Sequence, residues 1–232
     1  LRSLKAAIKE REANNIEGKK IIKTYRKGNL KKCINEKYNI LVPQMAPIHF
    51  ELIEHSVKSC GYNMVVIKDD EGAVEEGLKY VNNDACYPAV IVVGQLIEAL
   101  QSGKYDIENT SVIITQTGGG CRATNYIGLI RKALKDAGLS KVSILSFNFS
   151  GLEKEQAFKI TPRLGNKLIQ AVLYGDLLMK LLYATRPYEK VEGTSDNLYD
   201  KWSKKVYIDV AKGDIKEFKK YHFEENKKKY YL

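Results

Sequence analysis

The sequence predicts an α/β protein with a mostly parallel, Rossmann- or flavodoxin-like sheet of about four strands, helices on both faces and helical extensions at both ends. Four short segments rich in β-branched apolar residues alternate with longer segments whose apolar residues recur every three or four positions. Strands that alternate with helices pair in parallel through right-handed crossovers. The chain has 232 residues, of which 44% are hydrophobic, and this is enough for a substantial core.

The positions of proline and glycine set the limits of the predicted elements. Pro43 should end the first strand because proline cannot continue a central ladder, and Pro47 and Pro88 suit the first turns of helices. The predicted strands are 38–43, 63–68, 112–116 and 141–149, and the predicted helices are 47–60, 73–81, 89–100, 126–137 and 164–182.

The basic residues of the chain are concentrated at its two ends. Residues 1–39 carry a net charge of +8 and residues 201–232 a net charge of +5, whereas the remainder carries −3. We therefore predict a basic helical lead-in over 1–37, an α/β domain over 38–185 and basic C-terminal helices over 186–232. Because the basic residues fall on solvated helix faces and accompany no binding motif, we do not expect nucleic-acid binding.

The four cysteines, Cys33, Cys60, Cys86 and Cys121, are scattered without a Cys-x-x-Cys pair. The charged N-terminus has no secretory signal, and no window approaches the roughly 18 continuous apolar residues of a membrane span. We expect reduced thiols in a cytoplasmic protein that does not enter a membrane. The chain begins with Leu1 and not with Met, so we expect it to be a piece of a longer polypeptide.

The stretch after the third strand holds the strongest chemical signal. Gly118, Gly119 and Gly120 connect the strand to Cys121 and to a helix whose apolar positions begin at Tyr126. Glycines allow a positive φ and close approach of a ligand, and the start of a helix presents free N–H groups to the same place. A cysteine at this position is a good metal ligand or nucleophile.

Cys86 occupies a similar position on another loop. Pro88 marks the start of a helix, so Cys86 should lie directly before the first turn. We expect this loop to fold over the carboxyl edge of the sheet, where ligands of open α/β proteins bind. Cys60 shares a helix face with apolar residues and is interpreted as a core residue, and Cys33 as an exposed thiol among lysines.

Spacing alone leaves four interpretations open. Two thiols near helix starts fit one corner of a metal site, because thiolates select zinc, copper(I) or iron–sulfur clusters. The glycine-rich turn also fits phosphate or nucleotide binding, although it contains no Gly-x-Gly-x-x-Gly or Gly-Lys-Ser/Thr motif. A nucleophilic Cys121 would need a base, for which His49 and His55 are the candidates. The fourth interpretation is a tight glycine turn beside a buried cysteine.

Three long segments carry a more specific signal than these spacings. They begin at Leu41 (LVPQMAPIHFE), at Tyr80 (YVNNDACYPA) and at Ile114 (ITQTGGGCRATNYIG). The segments resemble the C-terminal part of the large proteins related to 2-hydroxyacyl-CoA dehydratases and their activators. In that family an actin-like ATPase activator region precedes dehydratase-like α/β domains, and relatives carry these parts on separate chains. The resemblance covers residues 40–185.

The resemblance implies an oxygen-sensitive iron–sulfur cluster, either [4Fe-4S] or double-cubane, with Cys86 and Cys121 at the positions of cluster-binding cysteines. Gly118, Gly119 and Gly120 would then lie beside the cluster. It further implies that ATP hydrolysis by the activator drives an electron onto the cluster at very low potential. The chemistry would be of the lyase or reductase type, on a 2-hydroxyacyl-CoA or a related substrate.

The resemblance also implies that this chain does not hold the cluster unaided. A further cysteine is expected from a preceding dehydratase-like domain, on the same or a separate chain. We therefore expect the cluster to be present in the intact protein and absent from this chain alone. The alternative is a non-catalytic scaffold or docking domain of the same family, without a cluster of its own.

Overall fold

The computed structural model of the chain describes residues 2–15, 37–68, 71–116, 119–148 and 161–213. Four strands form one all-parallel sheet in the order β2-β1-β3-β4, which confirms the predicted α/β class. The strands are β1 (Asn39–Pro43), β2 (Asn63–Ile67), β3 (Thr110–Gln116) and β4 (Ser143–Asn148). The helices within the described ranges are α1 (Arg2–Ala13), α2 (Pro47–Lys58), α3 (Ala73–Tyr80), α4 (Tyr87–Gln101), α5 (Tyr126–Asp136), α6 (Pro162–Thr185) and α7 (Thr194–Lys212).

The strand order creates a switch point between β1 and β3. Leu41 of β1 lies opposite Val65 of β2 on one side and opposite Val112 of β3 on the other. After β1 the chain enters α2 on one face of the sheet, whereas after β3 it enters α5 on the other face. Neighbouring parallel strands whose connections leave in opposite directions open a crevice at their carboxyl ends, where ligands of such sheets bind.

The sheet is buried on both faces, which is why its strands are continuous apolar runs in the sequence. On one face, Leu41 and Val112 pack with apolar residues of α4 and α5. On the other face, Ile40 and Val42 pack with residues of α2 and α6, including Leu164. The alternation of side chains along β1 therefore separates two helix layers.

Helix α7 packs against the second of these layers. A third core cluster joins α2, α6 and α7 through Leu52, Ala171, Tyr174, Leu178, Val206 and Val210. At the same junction the Tyr207 hydroxyl donates a hydrogen bond to a Glu51 carboxylate oxygen at 2.5 Å, and the His55 ring stacks on the Tyr207 ring at 4.2 Å. Burial and the neighbouring Glu51 raise the pKa of Tyr207, so its hydroxyl keeps the proton that it donates. The division of the chain after residue 185 stays a prediction.

Helix α6 and the turn after it, Pro162–Tyr188, are long and apolar enough to cross a membrane by length and composition alone. One side of α6 is nevertheless packed, because Ala171 and Tyr174 are fully buried in the cluster shared with α2 and α7. At Gly175 the two helices approach so closely that an added Cβ would lie 2.5 Å from the His49 ring. Only 39% of the apolar window is buried, so these contacts pack one side of α6 into the core and leave the other side exposed.

Two glycines allow α3 and α4 to cross in direct backbone contact. A Cβ added at Gly94 of α4 would lie 1.6 Å from the carbonyl oxygen of Ala73 in α3. A Cβ added at Gly77 of α3 would lie 2.2 Å from the carbonyl oxygen of Val90 in α4. Neither position accommodates a side chain. The crossing joins the two helices that flank the loop carrying Cys86.

The observed boundaries lie within three residues of the predicted ones. α2 ends at Lys58 and not at residue 60, and Gly61, with a φ of +87°, follows it as the expected stop. The described side chains of α1 are exposed, as predicted for a lead-in helix. The predicted last helix beyond residue 213, and the predicted positions of Cys33 and Gly118, lie outside the described residues.

Candidate functional site

Cys86 lies at the start of α4, on the loop that follows α3. It is the N-cap residue, with extended backbone (φ −61°, ψ 138°), and its carbonyl oxygen accepts hydrogen bonds from the N–H groups of Ala89 and Val90. Pro88 in the first turn already has the φ of a helix, which favours a start at this point. The half-buried thiol packs against the core on the α4 and α5 face of the sheet. The structure thus places Cys86 directly before a helix, as the sequence predicts.

Cys121 caps a short 3-10 helix, Arg122–Asn125, and α5 begins one turn later at Tyr126. The Cys121 sulfur accepts a hydrogen bond from the Ala123 N–H at 3.5 Å, and the residue is exposed. Helix α5 starts at Tyr126, where the predicted apolar periodicity starts, and the 3-10 helix lies between it and Cys121. The exposure of Cys121 also contradicts its interpretation as a buried packing residue.

Thr124 stabilises the glycine-rich turn through two hydrogen bonds. Its hydroxyl donates to the carbonyl oxygen of Gly119 at 2.8 Å, and its carbonyl oxygen accepts from the side-chain amide of Gln116 at 3.1 Å. Gly119 and Gly120 do not use the positive φ that glycine permits, and an added Cβ at either would meet no atom of the described residues within 4 Å. Within the described part of the chain, these two glycines therefore leave space next to Cys121.

The phenol of Tyr126 connects the two cysteines. Its oxygen lies 3.8 Å from the Cys86 sulfur, and it is close enough to Cys121 for a thiolate charge there to act on it. Burial, the hydrogen bond with Cys86 and the negative charge of the two thiolates raise the pKa of Tyr126 to about 12. Tyr126 therefore contacts Cys86 and lies within electrostatic range of Cys121, which is on a separate loop.

The surface around the thiols combines exposed apolar side chains with a buried acceptor. Tyr87, beside Cys86, is 62% exposed, and Met45, which follows β1, is 42% exposed. The Gln44 N–H donates to the side-chain oxygen of the buried Gln95 at 3.2 Å. The side-chain oxygen of Gln44 is itself buried, with no hydrogen-bond partner in the part of the chain that the structure describes. A ligand or partner at this edge of the sheet would meet the exposed Tyr87 and Met45.

The histidines considered as bases for Cys121 lie on the other face of the sheet. His49 pairs with Asp176 of α6 at 3.0 Å, and His55 stacks on Tyr207 of α7. Both histidines belong to α2, whereas the two thiols lie on the α4 and α5 side. Neither histidine is placed to take a proton from Cys121.

Tyr126 is the site residue that the sequence does not single out. In the sequence it is only the first apolar position of a helix, and its contact with Cys86 joins residues 40 positions apart. The one available signal is chemical, because a buried tyrosine hydroxyl usually has a hydrogen-bond partner.

The two thiols fit part of an iron–sulfur site. Among residues 2–15, 37–68, 71–116, 119–148 and 161–213, no three or more His, Cys, Asp or Glu side chains form a group that could hold a metal ion. Cys60 is half-buried and packs against the core on the α2 face, as expected. Iron–sulfur clusters commonly take four thiolates, so Cys86 and Cys121 would supply one side and other residues the rest.

Comparison with family models, curated proteins and solved structures finds no match to this chain. The functional assignment therefore depends on the chemistry of Cys86, Cys121 and Tyr126.

Proposed function

We propose that this chain is the dehydratase-like, iron–sulfur-cluster-binding part of an ATP-driven, low-potential electron-transfer system that acts on a 2-hydroxyacyl-CoA or a related substrate. Cys86 and Cys121 are the proposed cluster ligands. One observation carries the proposal: thiols on two separate loops approach the same buried phenol, that of Tyr126. The resemblance of the segments around both cysteines to the dehydratase and activator family supports the same chemistry.

The donor atoms of the site favour an iron–sulfur cluster over a hard cation. Sulfur ligands select soft or borderline metals, and both [4Fe-4S] and double-cubane clusters use thiolates. Such a cluster, when bound, supplies one-electron transfer. Tyr126, with a pKa of about 12, keeps its proton at neutral pH and can donate a hydrogen bond to the Cys86 sulfur. Hydrogen bonds to ligand sulfurs are one of the factors that set the potential of a cluster.

The proposal requires a second protein part that supplies the remaining ligands. We assign this role to a preceding dehydratase-like domain, on the same or a separate chain, with the actin-like ATPase activator as the electron donor. The exposed Tyr87 and Met45, and the open space beside Gly119 and Gly120, support a partner-covered surface at this edge. Lyase or reductase chemistry on an acyl-CoA would then belong to the assembled enzyme and not to this chain alone.

Anaerobic reconstitution of the chain with ferrous iron and sulfide, followed by iron and acid-labile sulfide analysis, tests the assignment. We expect less iron than a complete cluster requires, and we expect this iron to be lost in air. It should fall several-fold in Cys86→Ser and in Cys121→Ser. Cys60→Ser is the matched control because this thiol is also half-buried but packs on the other face of the sheet. Its iron content should equal that of the unmodified chain.

Two results would contradict the proposal. Equal iron in the unmodified chain and in both serine variants would mean that Cys86 and Cys121 do not bind it. A complete four-iron cluster in a monomer of this chain would contradict a site shared with a partner. If the unmodified chain binds no iron under anaerobic conditions, the non-catalytic scaffold or docking domain becomes the better assignment.

A further inference from the structure

One face of helix α6 is exposed along most of its length. Ala171, Tyr174 and Leu178 on the other side are buried in the core, and Ile169 on the exposed side is 63% accessible to solvent. The exposed positions follow one another at alternating spacings of four and three residues. This spacing is typical of the contact seam of a helix that pairs with another helix. We call this set the α6 outer face, and its members are Ile169, Leu173, Asp176, Lys180 and Tyr183.

The charges of the α6 outer face are self-complementary in one orientation only. In an antiparallel pair of two α6 helices, centred between Asp176 and Lys180, each Asp176 lies opposite Lys180 of the other copy. Leu173 of each copy then lies opposite Tyr183 of the other. A parallel pair would place each charge against its own counterpart, which is repulsive. Polar residues at seam positions select orientation and register in this way.

Asp176 is already held in place before a second copy binds. One of its carboxylate oxygens pairs with His49 of α2 at 3.0 Å, while most of the side chain remains exposed. This contact restricts the rotamers of Asp176 before any partner arrives, so less side-chain entropy is lost on association. Lys180, one turn further along α6, is exposed.

We propose that the α6 outer face is the contact surface of a homodimer in which two copies of this chain pair antiparallel along α6. A second copy suits this face better than a lipid bilayer does, because it offers Asp176 and Lys180 an opposite charge at the centre of the seam, whereas a bilayer offers only hydrocarbon. The seam from Ile169 to Tyr183 is about 21 Å long. A pair of helices of this length buries less than the roughly 1,200 Å² of a standard interface. We therefore expect a concentration-dependent dimer with a dissociation constant of roughly 1 to 100 µM.

The proposed dimer is independent of the thiol site. α6 packs on the α2 face of the sheet, whereas Cys86 and Tyr126 pack on the α4 and α5 face. Pairing along α6 therefore leaves the thiols open to a different partner. Failure of one proposal does not affect the other.

Sedimentation velocity of the full 232-residue chain between about 1 and 100 µM tests the dimer. The mass should rise with concentration from the 26.3 kDa of one chain towards twice this value. Lys180→Asp should raise the dissociation constant at least about tenfold, because each Asp176 then faces an aspartate. The double variant Asp176→Lys, Lys180→Asp restores opposite charges and should return the dissociation constant to within about threefold of the original.

A matched pair of leucine variants tests the apolar part of the seam. Leu173→Asp on α6 should weaken the dimer about tenfold or more. Leu78→Asp on α3 is the control, because Leu78 is 47% exposed and Leu173 38%, and α3 lies on the opposite side of the sheet. Circular dichroism verifies that each variant keeps its fold, which the exposure of both sites predicts.

Three results would overturn the proposal. These are a monomer at every concentration, no recovery in the charge-swapped double variant, and equal weakening of the dimer by Leu78→Asp and by Leu173→Asp. Co-sedimentation of the monomer with phosphatidylcholine and phosphatidylserine vesicles, lost in Leu173→Asp, would instead assign the face to a membrane surface.

Discussion

The hydroxyl of Tyr126 and the thiol of Cys86 lie 3.8 Å apart, although 40 residues separate them in the chain. The contact joins the first residue of α5 to the N-cap of α4. Because burial, the Cys86 hydrogen bond and the thiolate charges raise the pKa of Tyr126 to about 12, its phenol stays protonated when thiols begin to ionise. Tyr126 can therefore donate a hydrogen bond to the Cys86 sulfur at neutral and mildly alkaline pH.

Tyr126→Phe should remove one ionisation near pH 12 from the ultraviolet titration of the tyrosines. The chain has 15 tyrosines, so the expected change is a loss of about one tyrosine equivalent of absorbance in that pH range. Tyr188→Phe removes a highly exposed tyrosine and should leave the change near pH 12 in place. A difference spectrum of Tyr126→Phe centred near pH 10 would show that the phenol is not buried beside the thiols.

Glu51→Gln should make the protein less sensitive to acid. Burial tends to raise the pKa of Glu51, but hydrogen bonds from Lys68 at 2.7 Å and Tyr207 at 2.5 Å more than offset this and lower it. A carboxyl group with a lowered pKa stabilises the fold above its unfolded pKa, and this stability is lost as the pH falls. The unmodified chain should therefore be more stable than Glu51→Gln at pH 7, by up to about 1 kcal/mol because Lys68 is exposed.

Urea unfolding at pH 7, 5, 4 and 3 measures this effect. The difference in free energy of unfolding should persist down to about pH 5 and decrease at lower pH, as the pH falls through the lowered pKa of Glu51. Tyr207→Phe removes one of the two hydrogen-bond donors to Glu51, so it should lose part of the same pH-dependent free energy of unfolding. An equal difference at pH 7 and pH 3 would mean that the charge of Glu51 is not involved.

Gly94→Ala should destabilise the protein by about 2 to 4 kcal/mol. The added methyl group would lie 1.6 Å from the carbonyl oxygen of Ala73, and backbone cannot move aside as a side chain does. Gly128→Ala in α5 is the control, because its methyl group would meet only the movable Asn125 side chain, at 2.8 Å. The control should be neutral or up to about 1 kcal/mol more stable, since alanine favours helix. Equal free energies of unfolding for both variants would rule out backbone contact between α3 and α4.

Iodoacetamide under native conditions should modify Cys121 before Cys86 and Cys60. Cys121 is exposed, whereas the other two are half-buried, so its rate should be at least about tenfold higher. Peptide mass spectrometry at successive times measures the three rates. In denaturing urea the three rates should become similar. This result would show that burial, and not intrinsic thiol reactivity, causes the difference between the native rates. Equal native rates would contradict the exposed position of Cys121.

The strands and helices could be predicted because each depends on local chemistry. A strand buried on both faces requires a continuous apolar run, and each of the four runs became a strand of the parallel sheet. Pro88 and Gly61 marked a helix start and a helix stop for reasons of backbone geometry. The packing of α7 on α2 was not predicted, because Val206 and Val210 find their partners through tertiary contacts.

The site was only partly predictable for the same reason. The position of Cys86 before α4 follows from Pro88, which is two residues away. The meeting of Cys86 with Tyr126 depends on how α4 and α5 pack on the sheet, and no local pattern contains that information. The ligand-binding role expected for Gly119 and Gly120 stays a prediction, and neither residue uses the positive φ that glycine permits.

The backbone contact between α3 and α4 would affect how tightly Cys86 binds the proposed cluster. Gly77 and Val90 meet close to the two ends of the loop that carries this thiol, so folding alone confines the loop. An unconfined loop would lose roughly 1 kcal/mol of conformational entropy per residue when a metal fixed it. Here most of that loss occurs during folding, so Cys86 would be preorganised for the cluster proposed above. Under that proposal, a substitution that separates the two helices would weaken iron binding at Cys86 even though it touches neither the thiol nor the metal.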